Sequence, residues 1–270
     1  MRKDWETRAA ADPLTAIDPS RRNWTYDDFY ARGQELVATL VDPALDSLGV
    51  DPAGLRVLEI GCGVGRLLPG LTDRFGEVWG LDISPALVDL GREHCPVEAT
   101  WLVGDGSSLA DVERSSVDHV LSYEAFPRIP RASVIGAYLT ETWRVLKPGG
   151  TFQVQLRTGS DTTGQALLRA LPRFLRVGVG AGLKAVRLLR VRGDVDTWLG
   201  AIVPAREATA MLEKLGFEEL TTLPDDLRPP GTCYWLTGRK PIDAVDTEPE
   251  DGTGGARALS RPGPAGRAGP

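Results

Sequence analysis

The chain of 270 residues is poor in the side chains that carry most metal and acid–base chemistry, with only two histidines, His94 and His119, and three cysteines, Cys62, Cys95 and Cys233. The cysteines form no CxxC pair and the histidines have no ligand spacing on one helix, so neither a zinc-type centre nor a disulfide framework is expected. Asp105, Asp111 and Asp118 are too dispersed for a hard-cation site, and no metal is expected. The opening MRKDWETRAAADPL has no apolar leader, and no uninterrupted apolar run reaches the roughly eighteen residues that cross a bilayer. A soluble protein of the reducing cytoplasm is expected. Positive charge is short as well: the formal net charge is -6, which argues against a broad nucleic-acid surface.

What the chain does carry is VLEIGCGVGR, Val57 to Arg66, an apolar run with one carboxylate that breaks into Gly61, Gly63 and Gly65. Such a run reads as a buried parallel strand, and the glycines let the backbone approach a ligand and enter the next helix without Cβ clashes. The dinucleotide fingerprint G-x-G-x-x-G is absent, because its last glycine would fall on Arg66. Glu59, two residues before the first glycine, would repel a phosphate but suits a cationic ammonium or sulfonium ligand. Further strands read over Glu77–Ser84, Ala99–Leu109 and Ser115–Phe126. The first ends in Asp82, a carboxylate placed to accept hydrogen bonds from ribose hydroxyls. The second ends in Asp105. A helical stretch then closes at Lys147, with Pro148, Gly149 and Gly150 as stop signals before the strand TFQVQL.

Together VLEIGCGVGRLL, VWGLDIS, GDGSSL, SVDHVLSYEAFPRIP and WRVLKPGGTF resemble the class I S-adenosylmethionine-dependent methyltransferases of the group acting mostly on small molecules. The resemblance covers about Leu55 to Gln155 and implies an α/β fold: a Rossmann-like, doubly wound seven-stranded sheet, mostly parallel, with an antiparallel C-terminal hairpin in three αβα layers. It also implies S-adenosyl-L-methionine as cofactor. Glu59, Gly61, Cys62, Gly63 and Gly65, with Arg66, would hold the methionine part. Asp82 and Ser84 would stand at the ribose, and Ile83 on the adenine. Gly104, Asp105, Gly106 and Ser107 would meet the adenine edge, and Ser122, Tyr123 and Phe126 would line the opposite wall. Family members often cover the cofactor with N-terminal helices, which gives Trp24 a cofactor contact or a packing role. Tyr123, Glu124 and Arg128 fall near the expected methyl site, where many relatives carry a histidine in place of Pro127 and Arg128. His119, alternating with Val117 and Leu121, reads as a core histidine rather than a base.

One methyltransferase domain is expected over 1–240, with N-terminal cap helices over 1–50. The cap includes a helix within Arg21–Val41, with Thr25 and Asp27 as candidate caps. The segment 159–198 reads as a basic helical insertion, divided by Pro172 and the glycines from Gly178 to Gly182, and is expected to be a substrate lid. Its stretch 165–192 has seven basic residues and no acidic one, so contact with an anionic acceptor or a peripheral membrane surface is the alternative to an ordinary solvated hairpin. Near the C-terminus a helix ends at Gly216, with Leu212 and Leu215 in the core, and the strand Thr232–Lys240 inserts between its neighbours. The tail 241–270 has hardly any large apolar side chains and is expected to be disordered. The expected activity is methyl transfer to a small-molecule acceptor, of anionic or lipid-like character, by in-line displacement driven mainly by proximity and orientation. An NAD(P)-dependent oxidoreductase and a nucleoside-binding protein without methyl transfer are the alternatives. Acceptor identity and oligomeric state stay open.

Overall fold

The computed structural model describes residues 1–158, 200–227 and 232–244. The lid expected over 159–198 and the tail beyond residue 244 lie outside the described residues. Four helices precede the first strand: α1 (Arg2–Ala11), α2 (Pro13–Ile17), α3 (Tyr26–Leu36) and α4 (Asp42–Ser47). Thr25 caps α3 by accepting the Asp28 N–H at 3.1 Å, while Asp27 lies within its first turn. After them come β1 (Arg56–Ile60), α5 (Leu68–Thr72), β2 (Glu77–Asp82), α6 (Pro85–His94), β3 (Thr100–Val103), β4 (Val117–Ser122), α7 (Ala132–Val145) and β5 (Leu146–Arg157). The last described elements are α8 (Ala205–Leu215), β6 (Glu218–Pro224) and β7 (Cys233–Arg239).

The seven strands lie in the order β3-β2-β1-β4-β5-β7-β6. The first five pair in parallel and β7 runs antiparallel between β5 and β6, the arrangement expected from the sequence. Alternation along the central strands sends side chains to two cores. Leu58, Ile60 and Val120 pack in one cluster with Leu139 of α7 and Leu212 of α8. Val57 and Leu121 pack in the other with Leu36 of α3 and Leu71 of α5. Strands buried on both faces explain the near-continuous apolar runs, and the result is three layers. α8 stops at Gly216 and delivers Phe217 into the core, with Leu212 fully buried and Leu215 partly so.

Two strand ends depart from the sequence reading. β3 stops at Val103, short of the Asp105 end read from the sequence, because the Asp105 carboxylate accepts the N–H groups of Ser107 and Ser108 and turns the chain. β5 starts at Leu146 and runs through the Pro-Gly-Gly stop signal, which the sheet absorbs as a register shift against β4 between Val117 and His119. The chain winds outward from β1 through β2 to β3 and then returns to β4 on the other side of β1. That reversal leaves a crevice outside the carboxyl ends of β1 and β4, where ligands bind in such sheets.

Candidate active site

The crevice opens into a cavity of about 770 Å³. Its floor is the β1 loop. Gly61 has φ +82°, and a Cβ there would come within 2.2 Å of the Ala125 Cβ, so the β4 loop could not lie as close over any other residue. The loop is tied to β2 by the Gly61 N–H, which donates to the Leu81 carbonyl at 2.7 Å. Asp82 fixes both sides of the turn, accepting the Gly63 N–H on Oδ2 and the Ser84 N–H on Oδ1, each at 2.9 Å. Burial raises the Asp82 carboxyl above its ordinary value despite these donors.

Glu59 is strongly perturbed as well. Burial pushes its carboxyl up to about 8, with Asp82 adding repulsion and the Arg66 charge opposing both. Its Oε2 is buried without a hydrogen-bond partner among the described residues, although it belongs to a residue lining the cavity. A cationic ligand group placed there would supply that partner and favour the ionised carboxylate.

The opposite end of the cavity carries a chain of ion pairs. Arg66 donates through Nη1 to Asp18 Oδ2 at 2.7 Å and through Nη2 to Glu124 Oε2 at 3.4 Å. Arg128 donates to the same Glu124 oxygen at 3.1 Å and to the carbonyls of Ala16 and Ile17. Burial, then the Arg66 charge, lowers the Arg128 guanidinium to about 10. Burial also raises the Asp18 carboxyl, but the Ser20 hydrogen bonds and Arg66 outweigh it and hold it below its ordinary range. Glu124 sits at φ +57°, a left-handed conformation uncommon for a non-glycine residue, and its N–H donates to Gln155 Oε1 at 2.9 Å. Tyr123 is held between the Trp235 ring, stacked at 5.5 Å, and the Arg66 guanidinium at 5.3 Å.

Of the residues expected at the site, Glu59, Gly61, Cys62, Gly63, Arg66, Asp82, Ile83, Tyr123, Glu124, Phe126 and Arg128 line this cavity. The others lie behind it or at its margin. The Ser84 hydroxyl donates to Glu6 Oε1 and accepts the Leu87 N–H, the Gly104 carbonyl accepts from Arg2, and the Ser122 hydroxyl donates to the Ile60 carbonyl. Gly65 packs under Trp101, and Asp105, Gly106 and Ser107 form the turn after β3. Trp24 donates to the Asp18 carbonyl at 2.9 Å and meets the Phe29 edge. His119 is fully buried on Thr151 and Phe75, with its Nε2 unpaired, and does not line the cavity.

The sequence reading did not single out Met1, Trp5, Ile17, Leu87 or Tyr138, which also line it. α1 buries only Ala9 and has no apolar stripe, so Trp5 itself was its one signal. Among the described residues no group of acids, histidines and cysteines has metal-site geometry, and no helix is long and apolar enough to cross a membrane.

Residues 57–150 match a family described as "Methyltransferase domain". Over 231 residues the chain is 34% identical to the biotin biosynthesis bifunctional protein BioHC of Cellvibrio japonicus, covering 82% of this chain and 42% of that one. It is 30% identical to the magnesium-protoporphyrin O-methyltransferase of Rhodobacter capsulatus, covering 56% of this chain and 67% of the relative. A magnesium protoporphyrin IX methyltransferase from Synechocystis, solved with bound S-adenosylhomocysteine, superposes with a TM-score of 0.59 at 18% identity, over 88% of this chain and 97% of its own. The chain spans about half the length of several curated relatives it matches.

Proposed function

Because the chain belongs to the class I S-adenosylmethionine-dependent methyltransferases, we propose that it methylates a small-molecule acceptor held beside Tyr123 and Glu124. When bound, the cofactor supplies an electrophilic methyl on a sulfonium centre. The observation that carries the reading is Glu59, a buried carboxyl at the glycine loop whose second oxygen has no partner. In this reading Glu59 gives up its proton and pairs with the cofactor's ammonium group. Asp82 retains a lone pair on each oxygen for the ribose hydroxyls, while Ile83, Leu87 and Met1 offer an apolar surface to the adenine. Trp5, Phe126 and Tyr138 exclude water from the cavity.

Glu124 acts as a positioning group. A carboxylate between two guanidiniums is a weak base, and its left-handed backbone is held by Gln155 of β5. Orientation and desolvation then supply most of the acceleration, and the acceptor presents an oxygen or other nucleophile that ionises readily. A small acceptor is supported by the Rhodobacter relative, named for O-methylation of magnesium protoporphyrin. Lipid-like character and membrane contact rest on 165–192, outside the described residues. Residues 1–240 form one catalytic domain in this reading, with 1–50 as its cap.

Calorimetry with S-adenosylmethionine, S-adenosylhomocysteine and NAD tests the proposal. Saturable binding of the first two is expected, and NAD binding without them overturns it. Transfer of radiolabelled methyl to an acceptor panel separates an enzyme from a protein that only binds the nucleoside.

A further inference from the structure

A second cavity, of about 650 Å³, adjoins the first across Tyr123 and Glu124, which line both. Its other walls are Asp18 and Ser20 from the loop after α2, Arg32 and Leu36 from α3, and Leu227 beyond β6. Leu227 is 45% exposed, an apolar side chain without cover at the chamber wall.

The charges decide which kind of molecule fits. Asp18 commits one oxygen to Arg66 and the other to the Ser20 N–H, and the Glu124 carboxylate takes both Arg66 and Arg128. Arg32 is different. Its Nη1 donates to Glu35 Oε2 at 2.9 Å in a pair whose side chains are 41% and 68% exposed, and this is its one hydrogen bond among the described residues. Exposed pairs of this kind contribute little and yield to a competing anion. The chamber therefore has its acidic groups already paired and one guanidinium with donors to spare. A carboxylate matches the planar guanidinium fork and balances its one charge with one of its own.

We propose that the second cavity is the acceptor chamber and that Arg32 receives a carboxylate of the acceptor, whose nucleophile reaches past Tyr123 and Glu124 into the first cavity. The assignment rests on the methyl-transfer reading. It makes the acceptor a small monocarboxylate with an apolar body lying between Leu36 and Leu227.

The test is equilibrium binding. The full chain, saturated with S-adenosylhomocysteine, is titrated with 4-hydroxybenzoate, phenylacetate and hexanoate and with the primary amide of each, followed by ligand-observed NMR. At least one acid is expected to bind tenfold or more tightly than its amide. Arg32→Gln should erase that ratio while leaving S-adenosylhomocysteine affinity within twofold, and Leu227→Asp should weaken both acids and amides, which share the apolar body, and the acids more because of the added negative charge. Acids that bind no more tightly than amides, or a ratio that survives Arg32→Gln, overturn the assignment. If S-adenosylhomocysteine itself fails to bind, the methyl-transfer reading falls instead, so the two failures are distinguishable.

Discussion

The two ends of the cofactor cavity hold acidic side chains in opposite electrical conditions. At the β1 and β2 end, Glu59 and Asp82 are buried without an ion pair among the described residues, and burial raises both carboxyls. At the β4 end, Asp18 and Glu124 are paired with Arg66 and Arg128. In the proposed reading a cation brought from outside completes the first end, which is the character of a binding site. The second is complete in itself and holds α2, the glycine loop and the β4 loop in register, which is the character of a frame.

The largest effect should come from breaking the frame. Arg66→Met leaves Asp18 and Glu124 each short of a buried partner, and denaturant unfolding should show a loss of about 3–5 kcal/mol. A loss under about 1 kcal/mol would mean that the ion pairs are incidental to the fold. On the unfinished end, Asp82→Ala should weaken cofactor binding tenfold or more, about 1.5–3 kcal/mol by calorimetry on the folded variant.

Glu59 gives the next signal, through pH. Its folded value near 8 lies above the ordinary 4.5, so the ligand-free protein has the full stability of this group below pH 4.5 and loses it as pH rises through about 8. A cation that needs the ionised form must displace a proton below pH 8. Cofactor affinity should therefore climb with pH to about 8 and then level off, with proton release visible as a buffer-dependent heat. Glu59→Gln should flatten that profile and raise the stability of the free protein above pH 8; an unchanged slope would assign the proton to another group. The smallest effect belongs to Trp24→Phe, which loses one hydrogen bond to the Asp18 carbonyl, about 0.5–1.5 kcal/mol of stability. Cofactor affinity should stay the same, since Trp24 does not line the cavity; a marked loss would restore its direct contact.

Local signals explain most of what was legible beforehand. Strands ending in Glu59 with its glycines and in Asp82 announce themselves within a few residues, because a parallel strand must be apolar and its exit turn must be polar or glycine-rich. The frame was not legible. Arg66 meets Asp18 across 48 positions and Glu124 across 58, and no periodicity relates them. Nor does any sequence pattern bring Met1 and Trp5 of α1 to the cavity. His119 was legible as buried but not as half-satisfied, for its unpaired nitrogen depends on Phe75 and Thr151, which arrive from two other elements.

Gly33 has a consequence for transplanting parts between relatives. A Cβ at this position of α3 would lie 1.7 Å from the Arg66 carbonyl, so the helix rests directly on the backbone of the glycine loop. The same helix supplies Arg32 and Leu36 to the second chamber. A chimera that imports residues 1–50 from another family member therefore carries over more than a substrate preference. Unless the donor also has glycine at the contact, the graft will push on the loop that holds Glu59 and Asp82 in place, and a change of acceptor will arrive with a change in cofactor affinity.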